Sequence, residues 1–184
     1  MHVDELIEGC LRGSRSHFSE LYEQFAPMLY GICLRYSDDA DEAQDIMQEG
    51  FIKVFMQLNT FSKERGALEF WLRKIFVNTA IDYYRKKPPL LNNIPLENLT
   101  EETEEEEGPF NDLSREQLLE MIRQLPAGYR TVFNLFAIEE VGHKEIAVML
   151  GISENTSKTQ LMKARRMLQA KIKQYLILSE NNSR

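Results

Sequence analysis

The sequence is poor in cysteine and has no long apolar run. Its 184 residues include only Cys10 and Cys33, which lie far apart without metal-type spacing, and we infer a reduced, cytosolic protein. No stretch is apolar for long enough to cross a bilayer, and Met1 is not followed by a charged and then apolar leader. We therefore expect a cytoplasmic protein with no membrane insertion.

Sequence motifs for catalysis or metal binding are also missing. We find no nucleophile elbow, no phosphate-binding P-loop and no metal-ligand spacing. The three histidines, His2, His17 and His143, form no visible cluster. We therefore expect a protein that is not an enzyme and that has no cofactor and no metal site.

The net charge of −7 hides an uneven distribution. Residues 88–112 contain no Lys or Arg and carry −8, whereas residues 1–87 carry −3 and residues 113–184 carry +4. The local sign of the charge matters more for partners than the total. The two outer segments therefore keep basic patches, which suit nucleic acid.

The apolar residues outside the middle segment recur at helical spacing, and no alternation of β-branched residues competes with this pattern. We predict an all-α protein of two small helical domains, with boundaries 1–87 and 113–184. Residues 88–112 hold four prolines, and their run 101–107 is acidic at all positions except Thr103. Such a composition does not bury enough surface to fold, so we predict a flexible acidic linker.

Residues 143–168 show the pattern of a helix-turn-helix. Gly151 can end the first helix with a positive φ, and Ser153 can cap the second. An inner face of Leu161, Ala164, Arg165 (through its stem) and Leu168 would leave polar side chains free to reach base edges and phosphates. The alternative is an ordinary helical hairpin with a solvated polar face.

Residues 70–87, FWLRKIFVNTAIDYYRKK, predict a helix with aromatic residues at its start and basic residues along it. Aromatic rings that stack on bases, combined with cations that bind phosphates, suit single-stranded nucleic acid. Two alternatives remain open. Trp71 can be a core residue, and the basic run 85–87 can be a solvated helix end that is favoured by the helix dipole.

When the motifs of both predicted domains are taken together, the chain resembles the bacterial sigma factors of the extracytoplasmic-function class, in the sigma-70 family. Four segments carry the resemblance: DIMQEGFIKVF (45–55), FWLRKIFVNTAIDYYRKK (70–87), LPAGYRTVF (125–133) and the helix-turn-helix. Each segment alone is weak evidence for the family, but all four in this order, with an acidic linker between the domains, are specific for it. The resemblance covers about residues 10–87 and 114–174.

The resemblance implies roles for the N-terminal domain. One helix would dock on the clamp helices of the largest subunit of core RNA polymerase, through Asp45, Gln48, Glu49 and Phe51. We expect Phe51 to be an exposed apolar anchor within a polar rim. The following loop and helix would open and read the minus-ten element on the non-template single strand. The residues implied are Phe61, Phe70, Arg73, Lys74, Asn78, Arg85 and Lys86.

For the C-terminal domain, the resemblance implies binding to the polymerase β-flap and reading of the minus-thirty-five element as duplex DNA. The residues implied are Asn155, Thr156, Lys158, Thr159, Met162, Lys163 and Arg166. The family usually has an apolar anchor where this chain has Ser157, so we expect its recognition helix to seat differently. The resemblance also implies an anti-sigma factor as a further partner.

Two other functions compete with this one. A free-standing duplex-DNA regulator would use the helix-turn-helix alone, which leaves residues 70–87 unexplained and lacks an obvious dimerisation heptad. A protein-interaction module without a nucleic-acid role leaves two separate basic faces unexplained. Specific run-off transcripts with core polymerase would indicate a sigma factor, whereas binding without polymerase would indicate a regulator.

Overall fold

The N-terminal unit is built from four helices that bury one another's apolar faces. In the computed structural model, which describes residues 3–86 and 113–182, they are Val3–Leu11 (α1), Arg15–Tyr36 (α2), Ala40–Gln57 (α3) and Leu68–Lys86 (α4). Leu21 and Leu29 of α2, Ile46 of α3, and Leu72 and Phe76 of α4 are fully buried. The periodic apolar positions of the sequence therefore form a single core.

Local signals set the ends of these helices. Asp39 caps α3 by accepting a hydrogen bond from the Glu42 amide at 2.8 Å. The connection between α3 and α4 consists of two 3-10 turns, Leu58–Thr60 and Lys63–Arg65, and a glycine, Gly66, with a φ of 133°. Such a φ favours glycine, so this residue directs the chain into α4.

Both cysteines of the chain lie in the N-terminal core. Cys10 and Cys33 are free thiols and are buried. Burial raises the pKa of the Cys33 thiol to about 12, and burial, together with the charge of Glu20, raises the pKa of Cys10. Since the thiolate is the reactive form, these side chains behave as small apolar core residues.

Residues 113–182 of the C-terminal unit form four further α-helices. They are Arg115–Arg123 (α5), Ala127–Phe133 (α6), His143–Leu150 (α7) and Glu154–Asn182 (α8), and a π-helical segment, Asn134–Ile138, follows α6. A capping box begins α5, in which the Ser114 and Gln117 side chains accept hydrogen bonds from each other's backbone amides. Met121, Ile122 and Leu125 pack against Ala164, Leu168 and Ile172 of α8.

The helix-turn-helix pattern is confirmed in α7 and α8. Gly151 ends α7 with a φ of 67°, and the Ser153 hydroxyl accepts a hydrogen bond from the Thr156 amide at 3.0 Å. Among the described residues, no atom lies within 4 Å of the position that a Cβ on Gly151 would take. The glycine is therefore required for its φ and not for space.

The predicted all-α, two-domain architecture is confirmed, and the described ranges contain no strand. The predicted linker, 88–112, and the domain boundaries at its ends lie outside the described residues. No helix within residues 3–86 or 113–182 combines the length and the hydropathy that a membrane span requires.

Candidate nucleic-acid and polymerase interface

One face of α4 exposes an aromatic ring followed by polar side chains. Phe70 is 72 % exposed, although its ring is large and apolar. Lys74 and Asn78 follow on successive turns of the same helix face and are also exposed. Arg85 is exposed near the end of the helix. This face combines a ring for stacking with donors for phosphates and bases, as single-stranded nucleic acid requires.

Two other predicted minus-ten residues, Phe61 in the preceding loop and Arg73 near the start of α4, are less accessible. The Phe61 ring lies edge-on to Trp71, with their centroids 5.8 Å apart, and both side chains are half-buried. Arg73 is also half-buried. The contact between Phe61 and Trp71 holds the loop between α3 and α4 against the start of α4. Since Trp71 is half-buried, the alternative that it is a core residue is only partly correct.

The carboxylates predicted for polymerase docking contact side chains of α4. The Tyr83 hydroxyl donates to Asp45 Oδ2 at 3.3 Å, and Lys86 Nζ lies 3.6 Å from Glu49 Oε1. Asp45 and Gln48 are exposed, whereas Glu49 is half-buried. Lys86, which we assigned to minus-ten DNA, therefore shares an ion pair with a residue that we assigned to the polymerase.

Lys53 links the same two helices at the centre of this charged cluster. Its Nζ lies 3.0 Å from Asp82 Oδ2 and 3.3 Å from Glu49 Oε1. Burial lowers the pKa of Lys53, but hydrogen bonds and charge interactions with Asp82 and Glu49 outweigh it, and the pKa is raised. Lys53 stays charged and holds α3 against α4.

The expected exposure of Phe51 is wrong. Its side chain is only 5 % exposed and packs edge-on against the buried ring of Phe76, with centroids 5.3 Å apart. The Tyr22 ring covers it from α2 at 4.8 Å. Position 51 faces both α2 and α4, so its ring completes the core and is not a free anchor.

An open apolar groove lies beside Phe51, between α2 and α3. It encloses about 910 Å³, and its lining is mostly apolar. Ile52, 52 % exposed, and Phe55, 40 % exposed, are the partly open apolar side chains on its α3 wall. The groove is lined by Tyr22, Ala26, Pro27, Tyr30, Gln44, Met47, Gln48, Phe51, Ile52 and Phe55.

Helix periodicity did not predict this groove, because we expected the apolar contact on α3 to be Phe51. One signal was available. Ile52 is an apolar residue off the helix stripe that carries Val54 and Phe51, and an apolar side chain on a polar face indicates a contact site.

The predicted reading face of α8 lies open to solvent along its first turns. Asn155, Thr156, Lys158, Thr159 and Met162 are exposed, whereas Lys163 and Arg166 are half-buried. Lys163 Nζ lies 6.0 Å from the centroid of the Tyr129 ring. The exposed residues form the part of this face that is free to enter a groove of duplex DNA.

A carboxylate restrains one of these predicted DNA contacts. Lys158 Nζ lies 2.7 Å from Glu154 Oε1, one helical turn earlier. The hydrogen bond from Lys158 lowers the pKa of Glu154, and the charges of Lys158, Lys144 and His143 act in the same direction. Glu154 is therefore ionised at neutral pH and offsets part of the positive charge of the reading face.

Ser157, where an apolar anchor is usual, is fully buried among these exposed residues. Its Oγ lies 2.9 Å from His143 Nδ1, at the start of α7.

Within the described ranges, no three His, Cys, Asp or Glu side chains are grouped so that they could hold a metal ion.

Two protein families match this chain, one in each structural unit. The family described as sigma-70 region 2 matches residues 21–88, and the family described as sigma-70, region 4 matches residues 115–168. The first match covers α3, α4 and most of α2, and the second covers the helix-turn-helix. Each family therefore corresponds to one of the two structural units.

Relatives match nearly the whole chain. The ECF RNA polymerase sigma factor SigW of Bacillus subtilis is 26 % identical over 94 % of this chain and 98 % of its own. The RNA polymerase sigma-H factor of Pseudomonas aeruginosa is 27 % identical over 88 % of this chain and 89 % of its own. A similar fold, with a TM-score of 0.50 and 20 % identity, occurs in the sigma factor RpoE of Bartonella quintana, solved with the anti-sigma factor NepR; the match covers 85 % of this chain and 96 % of that one.

Proposed function

Because this chain belongs to the extracytoplasmic-function class of the sigma-70 family, whose members direct transcription initiation from promoters, we propose a division of labour between its domains. The N-terminal domain binds core RNA polymerase and opens and reads the minus-ten element. The C-terminal domain reads the minus-thirty-five element as duplex DNA and contacts the β-flap. An anti-sigma factor is a further proposed partner, as the solved relative has one.

Polymerase docking is assigned to the groove between α2 and α3 and to its polar rim. An apolar groove lined by aromatic and aliphatic side chains is suited to hold side chains of a partner helix, as in other helix-in-groove interfaces. Gln48 lies in the groove wall, and Asp45 is exposed one turn earlier on α3. The clamp helices of the largest subunit are the proposed occupant.

Minus-ten opening is assigned to the exposed face of α4. Phe70 offers a ring on which an unstacked base can lie, Lys74 offers a charge for phosphate, and Asn78 offers an amide for a base edge. The observation that carries the proposal is that α4 and α8, in separate domains, each expose a face suited to a different form of DNA. A regulator that used the helix-turn-helix alone would have no use for the first face.

The direct test is transcription. The purified chain, added to core polymerase and a promoter pool, is expected to yield run-off transcripts from a defined set of start sites. Sequence-specific binding to duplex DNA without polymerase, with no transcript, would instead support a free-standing regulator.

Groove docking is tested by Ile52→Glu. A carboxylate at this half-exposed position would have to be desolvated against the partner, so we expect affinity for core polymerase to fall about 30-fold, as for a hot-spot residue worth about 2 kcal/mol. The measurement is a fluorescence titration of labelled protein with core polymerase.

Met56→Glu is the matched control for this prediction. Met56 is 76 % exposed on the same helix but does not line the groove. The Met56→Glu substitution introduces the same charge as Ile52→Glu, and we expect it to leave affinity for core polymerase near the wild-type value. Equal losses in both variants, at unchanged circular dichroism, would remove the groove from the docking surface.

Glu154→Gln is expected to strengthen promoter binding. Its carboxylate engages Lys158 and would repel phosphates, so its removal frees one cation for the DNA. We expect a two- to fivefold gain in affinity at low salt, because the ion pair that is removed is exposed and therefore weak. The slope of log K against log salt is expected to steepen by about one unit. Duplex binding by the holoenzyme, measured across a salt series, reports both quantities.

Glu120→Gln serves as the control because it removes the same charge from another helix of this domain. Glu120 pairs with Arg123 on α5. A gain of the same size in this variant would mean that net charge, and not the release of Lys158, causes the effect.

A further inference from the structure

Three side chains from three elements form a continuous contact beneath the reading face of α8. Ser157, in the first turn of α8, is 0 % exposed. Its Oγ is hydrogen-bonded to His143 Nδ1 of α7 at 2.9 Å. The imidazole in turn stacks on the ring of Phe136 in the π-helical segment, with centroids 4.5 Å apart and planes 21° apart.

The hydrogen bond between Ser157 and His143 differs from the apolar contacts around it in being directional. The buried side chains of Leu161, Ala164 and Leu168 hold α8 by area and tolerate small rotations, whereas a hydrogen bond weakens steeply with angle. Residues 155, 156, 158 and 159 surround Ser157 in sequence and are exposed. The bond therefore lies in the same helical turn as several of the predicted base contacts.

Phe136 links the contact between His143 and Ser157 to a second position on α8. Its ring fixes the plane of the imidazole, and the Arg165 guanidinium carbon lies 5.7 Å from the ring centroid, within cation–π range. Arg165 lies about two helical turns beyond Ser157. The same aromatic side chain therefore contacts α7 and supports α8 at a second position.

We propose that His143, held in place by Phe136, is a positioning residue that sets the rotation of α8 through Ser157 and so selects which minus-thirty-five sequence is read. This inference rests on the proposed function of α8. Base-edge contacts need accurate placement, whereas long basic side chains reach phosphates over a range of helix orientations. Loss of the bond therefore flattens sequence preference and leaves sequence-independent affinity in place.

His143→Phe and Ser157→Ala test this from the two ends of the bond. The first keeps a ring to stack on Phe136, and the second removes only a hydroxyl. Holoenzyme is allowed to select from duplexes randomised over the minus-thirty-five element. We expect each variant to lose about tenfold in preference for the best sequence, as for one base contact. The double variant is expected to lose no more than either single variant, since both remove one bond.

Two further variants separate positioning from folding. His143→Asn keeps a polar atom near the place of Nδ1 and is expected to recover part of the lost preference. Val148→Ala, at an exposed position of α7, is expected to select as wild type does. Affinity for a non-specific duplex and the unfolding midpoint are measured on the same samples.

The outcomes distinguish the inference from the function on which it rests. If wild type selects a sequence and the His143 and Ser157 variants select it equally well, the positioning role is overturned alone. Additive losses, or a uniform loss across all sequences that follows thermal stability, also overturn it. A wild-type holoenzyme that shows no preference anywhere in the element overturns the proposed function together with this inference.

Discussion

Arg130→Ala is expected to unfold much of the C-terminal domain while the N-terminal domain remains folded. Arg130 is only 1 % exposed, and its Nη1 donates to the carbonyls of Arg123 at 2.7 Å and Leu125 at 3.4 Å. These carbonyls lie at the end of α5 and just beyond it, where backbone acceptors lack helical partners. The arginine is thus a buried cap for the negative end of that helix.

The expected cost is large because two effects add. Buried carbonyls that lose a charged donor cost about 1–3 kcal/mol each, and the missing side chain leaves a cavity. A loss of about 3–5 kcal/mol is comparable with the whole stability of a small domain, which is roughly 4–10 kcal/mol. Peptide-resolved hydrogen exchange on the full chain would show protection lost in α5 to α8 and retained in α2 to α4.

Lys173→Ala controls for the loss of one positive charge. Lys173 is exposed on α8 of the same domain, so its removal is expected to change stability by less than about 0.5 kcal/mol. If the Arg130 variant had the protection pattern of this control, its buried hydrogen bonds would not contribute to stability.

Gly50→Ala and Gly31→Ala are expected to change stability in opposite directions. A Cβ on Gly50 would lie 2.6 Å from Cε1 of the Phe76 ring, which is fully buried and in contact with Phe51. Overpacking of this kind costs about 1–3 kcal/mol, more than the roughly 1 kcal/mol that alanine gains in helix propensity. The net effect at position 50 is therefore destabilising.

Gly31 lies inside α2, where no described atom comes within 4 Å of an added Cβ. Alanine there keeps the propensity gain without the clash, so we expect stabilisation of about 0.5–1 kcal/mol. Urea denaturation of both variants, followed by circular dichroism, measures the two shifts. A stable Gly50→Ala protein would show that the Phe76 ring moves freely, and thus that the contact between α3 and α4 is loose.

Prediction of side-chain exposure from the sequence succeeded where exposure follows from helix periodicity. Lys74, Asn78, Lys158 and Thr159 lie on exposed faces, as an amphipathic pattern predicts. It failed for Phe51, because that ring lies at the edge of the apolar stripe. Which side of the stripe is covered depends on how α2 crosses α3, and neither helix specifies that alone.

Short-range signals in the sequence specify the helices and their ends, and the order of the motifs gives the order of the two domains. Caps such as Ser114 with Gln117, Ser153 and Gly151 act within one or two helical turns, so their effects can be read from neighbouring residues. Packing between helices is what buries Arg130, places Ile52 at a groove and brings Ser157 to His143. These contacts join residues on different elements, and their geometry arises only when the helices pack together.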